Sequence, residues 1–226
     1  MNQEKINKDW KIEFERQLLS GQYPQWPNEV MVKILFGGTN YLLKPVYPKS
    51  EWDVLEFGCL FANNLLPFKK LGCKCIAVDI HPEIITIASK YNKNIEFQVG
   101  NNQNISVPDN SIDLLISVGT IHYEGTKKNI IKAFKEFYRI LKPGGKLYLS
   151  TTGPMHELFK SAEKIKDNEY IAKDFDFRDG ERFFFFETEE FLKSMLDDNF
   201  FHTETGRVTE KLIDFSFDSF FSLSTK

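Results

Sequence analysis

The stretch Asp53-Val54-Leu55-Glu56-Phe57-Gly58-Cys59-Leu60-Phe61-Ala62-Asn63-Asn64 decides the fold, read with Ile76-Ala77-Val78-Asp79-Ile80 just downstream. Its first part is an apolar strand that runs into a glycine and then into a helix. The downstream piece is a second apolar strand, and it stops on an acid. A strand, a tight turn at a helix start and an acid about twenty residues on is the layout of a nucleotide-type cofactor pocket. Helix-start N–H groups point outward as unpaired donors, and a carboxylate can accept both hydroxyls of a ribose.

Outward from this stretch, strands and helices alternate. The sequence predicts strands over 53–57, 74–79, 95–99, 112–118 and 146–150, with helices near 63–71, 83–91 and 127–141 between them. Near-continuous apolar strands in such an alternation imply a parallel sheet covered on both faces. Before it lie a helix over 1–20, a proline-punctuated aromatic loop and a short helix near 29–36. After it, Asp179-Gly180 signals a hairpin within 170–186. Thr188 then caps a helix near 189–196, and strands over 201–208 and 215–222 pair antiparallel at the sheet edge.

At 226 residues the length fits one domain, and 42% hydrophobic against 27% charged residues is ordinary for a globular chain. The N-terminus has no apolar run behind it, and no stretch approaches the length of a membrane span. A net charge of −3 without a basic run lowers the expectation of a nucleic-acid partner. Cys59, Cys73 and Cys75 read as free thiols of a cytoplasmic protein, with no metal site.

Four features then occur in order: Glu56-x-Gly58-Cys59; Val78-Asp79-Ile80; Val99-Gly100-Asn101-Asn102, leading to Val107-Pro108-Asp109-Asn110-Ser111-Ile112-Asp113; and Leu141-Lys142-Pro143-Gly144-Gly145. In this order they resemble the class I S-adenosylmethionine-dependent methyltransferases from about Val30 to Phe201. The resemblance implies an α/β fold: a doubly wound, mostly parallel seven-stranded sheet with an antiparallel C-terminal edge strand. It implies a single domain over 1–226, with a helical lid over 1–48, a cofactor-binding half over 49–150 and a substrate-side part over 151–226.

The same resemblance implies that S-adenosylmethionine contacts Glu56, Gly58, Cys59, Asp79, Ile80, Asn101, Asn102, Gln103, Val118 and Gly119. Gly58 lets the backbone approach the cofactor closely, and Asp79 takes the ribose hydroxyls. Ile80 packs on the adenine, whose edge the amides of 101–103 read. The family's glycines are replaced by Leu60 and Ala62, and a γ-branched side chain disfavours positive φ. A rearranged loop or weakened binding is therefore expected there, and a catalytically silent protein of the same fold is the alternative. A nicotinamide dinucleotide fits worse, because its pyrophosphate needs glycines this chain lacks beyond Gly58.

Methyl transfer mainly demands that the nucleophile be positioned and desolvated, and an oxygen nucleophile generally needs a base. His122 and then His156 are the expected catalytic residues, since histidine titrates near neutrality. Tyr23, Tyr41 and Tyr123 are expected around the substrate, with Trp26 in the lid. Arg178 reads equally as a substrate contact or as a hairpin charge. With no Asn/Asp-Pro-Pro-Tyr loop after the fourth strand, a small polar metabolite methylated on O or N is the expected acceptor. The phenylalanine runs at 183–186 and 215–221 are consistent with a homodimer.

Overall fold

The computed structural model describes residues 3–21 and 25–226, with side chains from Trp10 onward apart from Asp176. Two helices lead the chain, α1 (Gln3–Ser20) and α2 (Glu29–Phe36). Gly21, at φ +68°, takes the left-handed turn that ends α1. Asn28 caps α2, its side chain accepting from Met31 N at 2.9 Å. The central alternation follows: β1 (Asp53–Phe57), α3 (Leu66–Leu71), β2 (Lys74–Asp79), α4 (Pro82–Tyr91), β3 (Glu96–Val99), β4 (Ile112–Val118), α5 (Lys127–Ile140) and β5 (Leu141–Thr152). The chain continues through α6 (Glu157–Lys160), β6 (Ala162–Lys166), β7 (Glu169–Ala172), β8 (Arg182–Phe184), α7 (Glu189–Asp197), β9 (His202–Leu212) and β10 (Phe215–Thr225).

The main sheet has seven strands in the order β3-β2-β1-β4-β5-β10-β9. The first five run parallel, so their carboxyl ends share one edge. The C-terminal hairpin closes the other side, with the reversed strand β10 lying between β5 and β9. Strand residues alternate between two cores. Leu55, Phe57 and Leu115 join Phe134 and Phe137 of α5 on one face, while Val54, Leu114 and Ile116 join Met31, Leu35 and Phe68 on the other. Burial on both faces is what makes these strands apolar throughout.

The edge opposite the carboxyl ends is fastened by charge. Lys142 Nζ donates to Asp113 at 2.6 Å and Asp53 at 3.1 Å, tying the starts of β1 and β4 to the Leu-Lys-Pro-Gly-Gly segment that opens β5. Arg139 reaches Asp109 and the carbonyls of Ile105 and Val107, anchoring the loop before β4 to α5. These motifs serve the framework.

A second, three-stranded antiparallel sheet, β6-β7-β8, follows β5. The sequence reading contains β7 and β8 within its hairpin but neither β6 nor α6. The run Phe183–Phe186 is wholly buried: Phe183 and Phe185 pack with Leu158 and Tyr170, Phe184 and Phe186 with the α5 core. It therefore offers no dimer face, because both sides of this strand are already covered.

Glu56 is 1% exposed and is pushed up to about 8 by burial. Its Oε1 accepts from Asn64 at 2.6 Å, and Oε2 has no hydrogen-bond partner among the described residues. A folded-state value above the unfolded one favours the native state below about pH 4.5, and that advantage is lost as pH rises through 8. Glu56→Gln keeps the bond to Asn64 without the buried charge. Thermal melts should show it gaining on wild type by on the order of 1 kcal/mol or more between pH 5 and 9. Parallel wild-type and variant curves across that range would refute the assignment.

Candidate active site

The carboxyl ends of β1, β2, β3 and β4 open into one cavity of about 330 Å³. The chain leaves β1 at Gly58 (φ +68°), whose N–H and that of Cys59 donate to Val78 O at 2.8 and 3.2 Å. A Cβ at position 58 would lie 2.1 Å from Thr120 Cγ2, so a side chain after β4 already demands glycine. Thr120 is itself held by Ser117, hydroxyl to hydroxyl at 2.7 Å. Leu60 and Ala62 sit at φ +45° and +59°, in the left-handed region. The turn therefore keeps a glycine-like path with side chains present. It is not rearranged into an ordinary one.

Asp79 ends β2 at 4% exposure. Its Oδ2 accepts from Leu60 N at 3.2 Å and its Oδ1 from His81 N at 3.0 Å, with His81 Nδ1 also at 3.0 Å. Ile80, 54% exposed, presents a bare aliphatic surface to the cavity. Asn101 and Asn102 line it after β3, and Val118 and Gly119 line it after β4. Glu124 closes this side, accepting from Asn102 Nδ2 at 2.9 Å and Gln103 Nε2 at 2.8 Å. Asn102 Oδ1 is buried without a hydrogen-bond partner among the described residues. At Gly119, φ +65°, an added Cβ would meet nothing within 4 Å.

The far wall is aromatic and acidic. Trp10 comes from α1, Tyr123 from the turn after β4, and Glu181 from the loop entering β8. Trp10 Nε1 donates to Glu181 Oε1 at 3.2 Å, and its ring meets Tyr123 and Phe177 edge-on at 5.5 and 4.8 Å. Backbone bonds from Gly180 N to Ala172 O and from Ala172 N to Glu181 O fix where Glu181 stands. Burial pushes its carboxyl up to about 7, against the bond from Trp10. Tyr123 is pushed up to about 12 by burial.

Of the residues expected from sequence, Gly58, Asp79, Ile80, Asn101, Asn102, Val118, Gly119 and Tyr123 thus converge on one cavity. Gln103 stands behind it, bound to Glu124. Glu56 and Cys59 are buried beneath the turn, where burial holds the Cys59 thiol well above its usual range.

The histidines expected to be catalytic lie elsewhere. His122 is 3% exposed, faces Phe183 and Phe185, and bonds Thr151 Oγ1 through Nδ1 at 3.2 Å. Burial pushes it down to about 3, so near neutrality it is uncharged. His156 caps α6, its Nδ1 accepting from Leu158 N at 3.0 Å between the rings of Phe215 and Phe217. Burial takes it down to about 4.

Tyr41 packs over Gly37 and Trp26 is exposed, both away from the cavity. Tyr23 lies outside the described residues. Arg178 is stacked on Phe175 and Phe177 and reaches Tyr123 OH at 3.5 Å. Sequence reasoning missed Trp10, Glu124, Thr120, His81 and Glu181 as cavity residues. The Asp179-Gly180 signal, expected as a hairpin turn, lies at the end of the longer 173–181 loop, where Gly180 at φ +78° directly precedes Glu181.

Comparison with known proteins fits this geometry. Residues 55–149 match the family described as "Methyltransferase domain". The Bacillus subtilis methyltransferase YcgJ is 27% identical over 113 residues, 48% of this chain and 44% of that one. Mouse probable tRNA methyltransferase 9B is 41% identical over 79 residues, 35% of this chain and 16% of that one. These matches span less than half of either relative's length. An S-adenosylmethionine-dependent methyltransferase from Methanosarcina mazei superposes with a TM-score of 0.66 at 22% identity, covering 80% of this chain and 94% of that one. Residues 55–149 thus match a methyltransferase domain, and the sheet around them has the fold of S-adenosylmethionine-dependent methyltransferases.

Proposed function

We propose that this protein moves the methyl group of S-adenosylmethionine to an O or N atom of a small polar metabolite. The observation that carries the reading is the single cavity shared by the Gly58 turn, Asp79, Ile80, Asn102 and Gly119 at the carboxyl ends of four parallel strands. The residues present suit the cofactor. Asn102 has a buried acceptor to spare, Ile80 an uncovered apolar face, and Gly119 open space where a side chain would stand.

On this reading Asp79 accepts the ribose hydroxyls, Ile80 lies under the adenine, and the amides at 101–102 read its edge. Gly58 and Gly119 keep the backbone close to the methionine portion. Bound there, S-adenosylmethionine supplies an electrophilic methyl on a sulfonium. The chain's own part is to position and dry the acceptor, with α1 as the cover through Trp10. A volume of about 330 Å³ under such a cover, with no Lys or Arg among its described lining residues, supports a small acceptor over a nucleic acid. The reading asks nothing of a histidine base, since His122 and His156 are buried, neutral and already bonded.

The cofactor assignment is tested by calorimetry with S-adenosylhomocysteine. Wild type should bind in the micromolar range, and Asp79→Asn should weaken binding at least tenfold while the far-ultraviolet spectrum stays unchanged. No binding at millimolar ligand would leave the silent-protein reading in its place. His122 has a signature of its own. Its depressed value stabilises the fold above pH 6.5, and that contribution is lost as pH falls toward 3. His122→Phe should narrow the drop in melting temperature between pH 7 and 4.5 and leave S-adenosylhomocysteine affinity within about threefold. A collapse of affinity would return His122 to the site.

A further inference from the structure

Three carboxylates line the cavity, and no Lys or Arg does so among the described residues. Two of the three already have both oxygens hydrogen-bonded within the chain. Both oxygens of Asp79 accept from the chain around them, and both oxygens of Glu124 accept from the amides of Asn102 and Gln103. Glu181 differs. It is 8% exposed, with Oε1 on Trp10 and Oε2 buried without a hydrogen-bond partner among the described residues. A buried carboxylate oxygen left unpaired is costly, and a charged donor from outside the chain would relieve that cost.

We infer that the methyl acceptor is an amine that enters as an ammonium ion, is held at Glu181 against the aromatic wall of Trp10 and Tyr123, and gives its proton to that carboxylate. The inference rests on the methyl-transfer reading and adds the acceptor class to it. The proton balance is simple. One N–H bond of the ammonium breaks and an O–H bond forms on Glu181, which leaves a neutral amine with the lone pair that attack on a sulfonium requires. Aromatic faces suit the cation before this step and the neutral amine after it.

The groups facing Glu181 agree with such a role. Trp10 on α1 donates to it, and Tyr123 closes the wall. Arg178 in the same loop and His81 after β2 favour its ionised form. Among the described residues no ion pair neutralises it. Burial opposes these influences and leaves the group near 7, where it can both lose and take a proton at physiological pH.

The test is calorimetry on the full-length protein saturated with S-adenosylhomocysteine. Phenethylamine and tryptamine are titrated beside phenethyl alcohol and hydrocinnamic acid. The amines should bind and the alcohol and acid should not, with amine affinity rising from pH 6 to pH 8 as Glu181 ionises. Glu181→Gln keeps the acceptor for Trp10. It should cost about tenfold or more in amine affinity, abolish the pH dependence and leave S-adenosylhomocysteine binding unchanged. Trp10→Phe keeps a ring but removes the donor that favours the charged carboxylate, so the pH midpoint should move upward. Alcohol binding equal to that of the amine, absence of amine binding, or a Glu181→Gln protein with wild-type amine affinity would overturn the inference while leaving the cofactor assignment standing. Failure of the wild type to bind S-adenosylhomocysteine would overturn the methyl-transfer reading, and this inference with it.

Discussion

The Asp79 carboxylate is the joint on which the site depends. Its two oxygens hold two different turns, one after β1 through Leu60 N and one after β2 through His81 N. Val78 O, one residue earlier, accepts from Gly58 N and Cys59 N. The end of β2 therefore dictates the path of the turn after β1, and β-sheet register alone would not. Parallel pairing of Phe57 with Val78 brings the two ends level, and the carboxylate then locks the loop in place. Loss of that charge would free two turns at once.

This constraint accounts for Leu60 and Ala62. A left-handed backbone costs a non-glycine residue about 1–2 kcal/mol. The cost is tolerated because Leu60 N is fixed by Asp79 while its side chain packs with Phe14, Phe61 and Ile84. A glycine at position 60 would relieve the strain but leave α1 without that contact. The residue that looked least compatible with a cofactor turn is also one that fastens the N-terminal helix over it.

The sheet was legible in the sequence because its strands are buried on both faces and its helices carry local signals, Pro82 opening α4 and Thr188 capping α7; Lys-Pro-Gly-Gly, expected as a turn before a strand at 146, instead lies within β5. The convergence of Gly58, Asp79, Asn102 and Gly119 on one cavity was legible for a related reason. These residues directly follow strands, so position along the chain fixes position in space. The far wall was not legible. Trp10 and Glu181 come from distant segments, and the bond between them spans 171 residues. His122 was misplaced for a local reason: Ile121–Glu124 forms a 3-10 turn, in which successive side chains point about 120° apart. Tyr123 therefore faces the cavity while its neighbour faces the core.

Helix α1 makes the two sides of the cavity one site. Trp10 and Phe14 stand four residues apart and so share a face of the helix. Trp10 reaches the far wall, at Glu181, Tyr123 and Phe177. Phe14 stacks on Phe61 at 4.7 Å, directly over the turn that Asp79 holds. One helical turn thus sets the distance between the Gly58 turn and the Glu181 carboxylate, although they belong to different sheets. A rigid spacer of this kind suits a displacement reaction, where a displacement of about 1 Å between nucleophile and methyl can cost a hundredfold in rate.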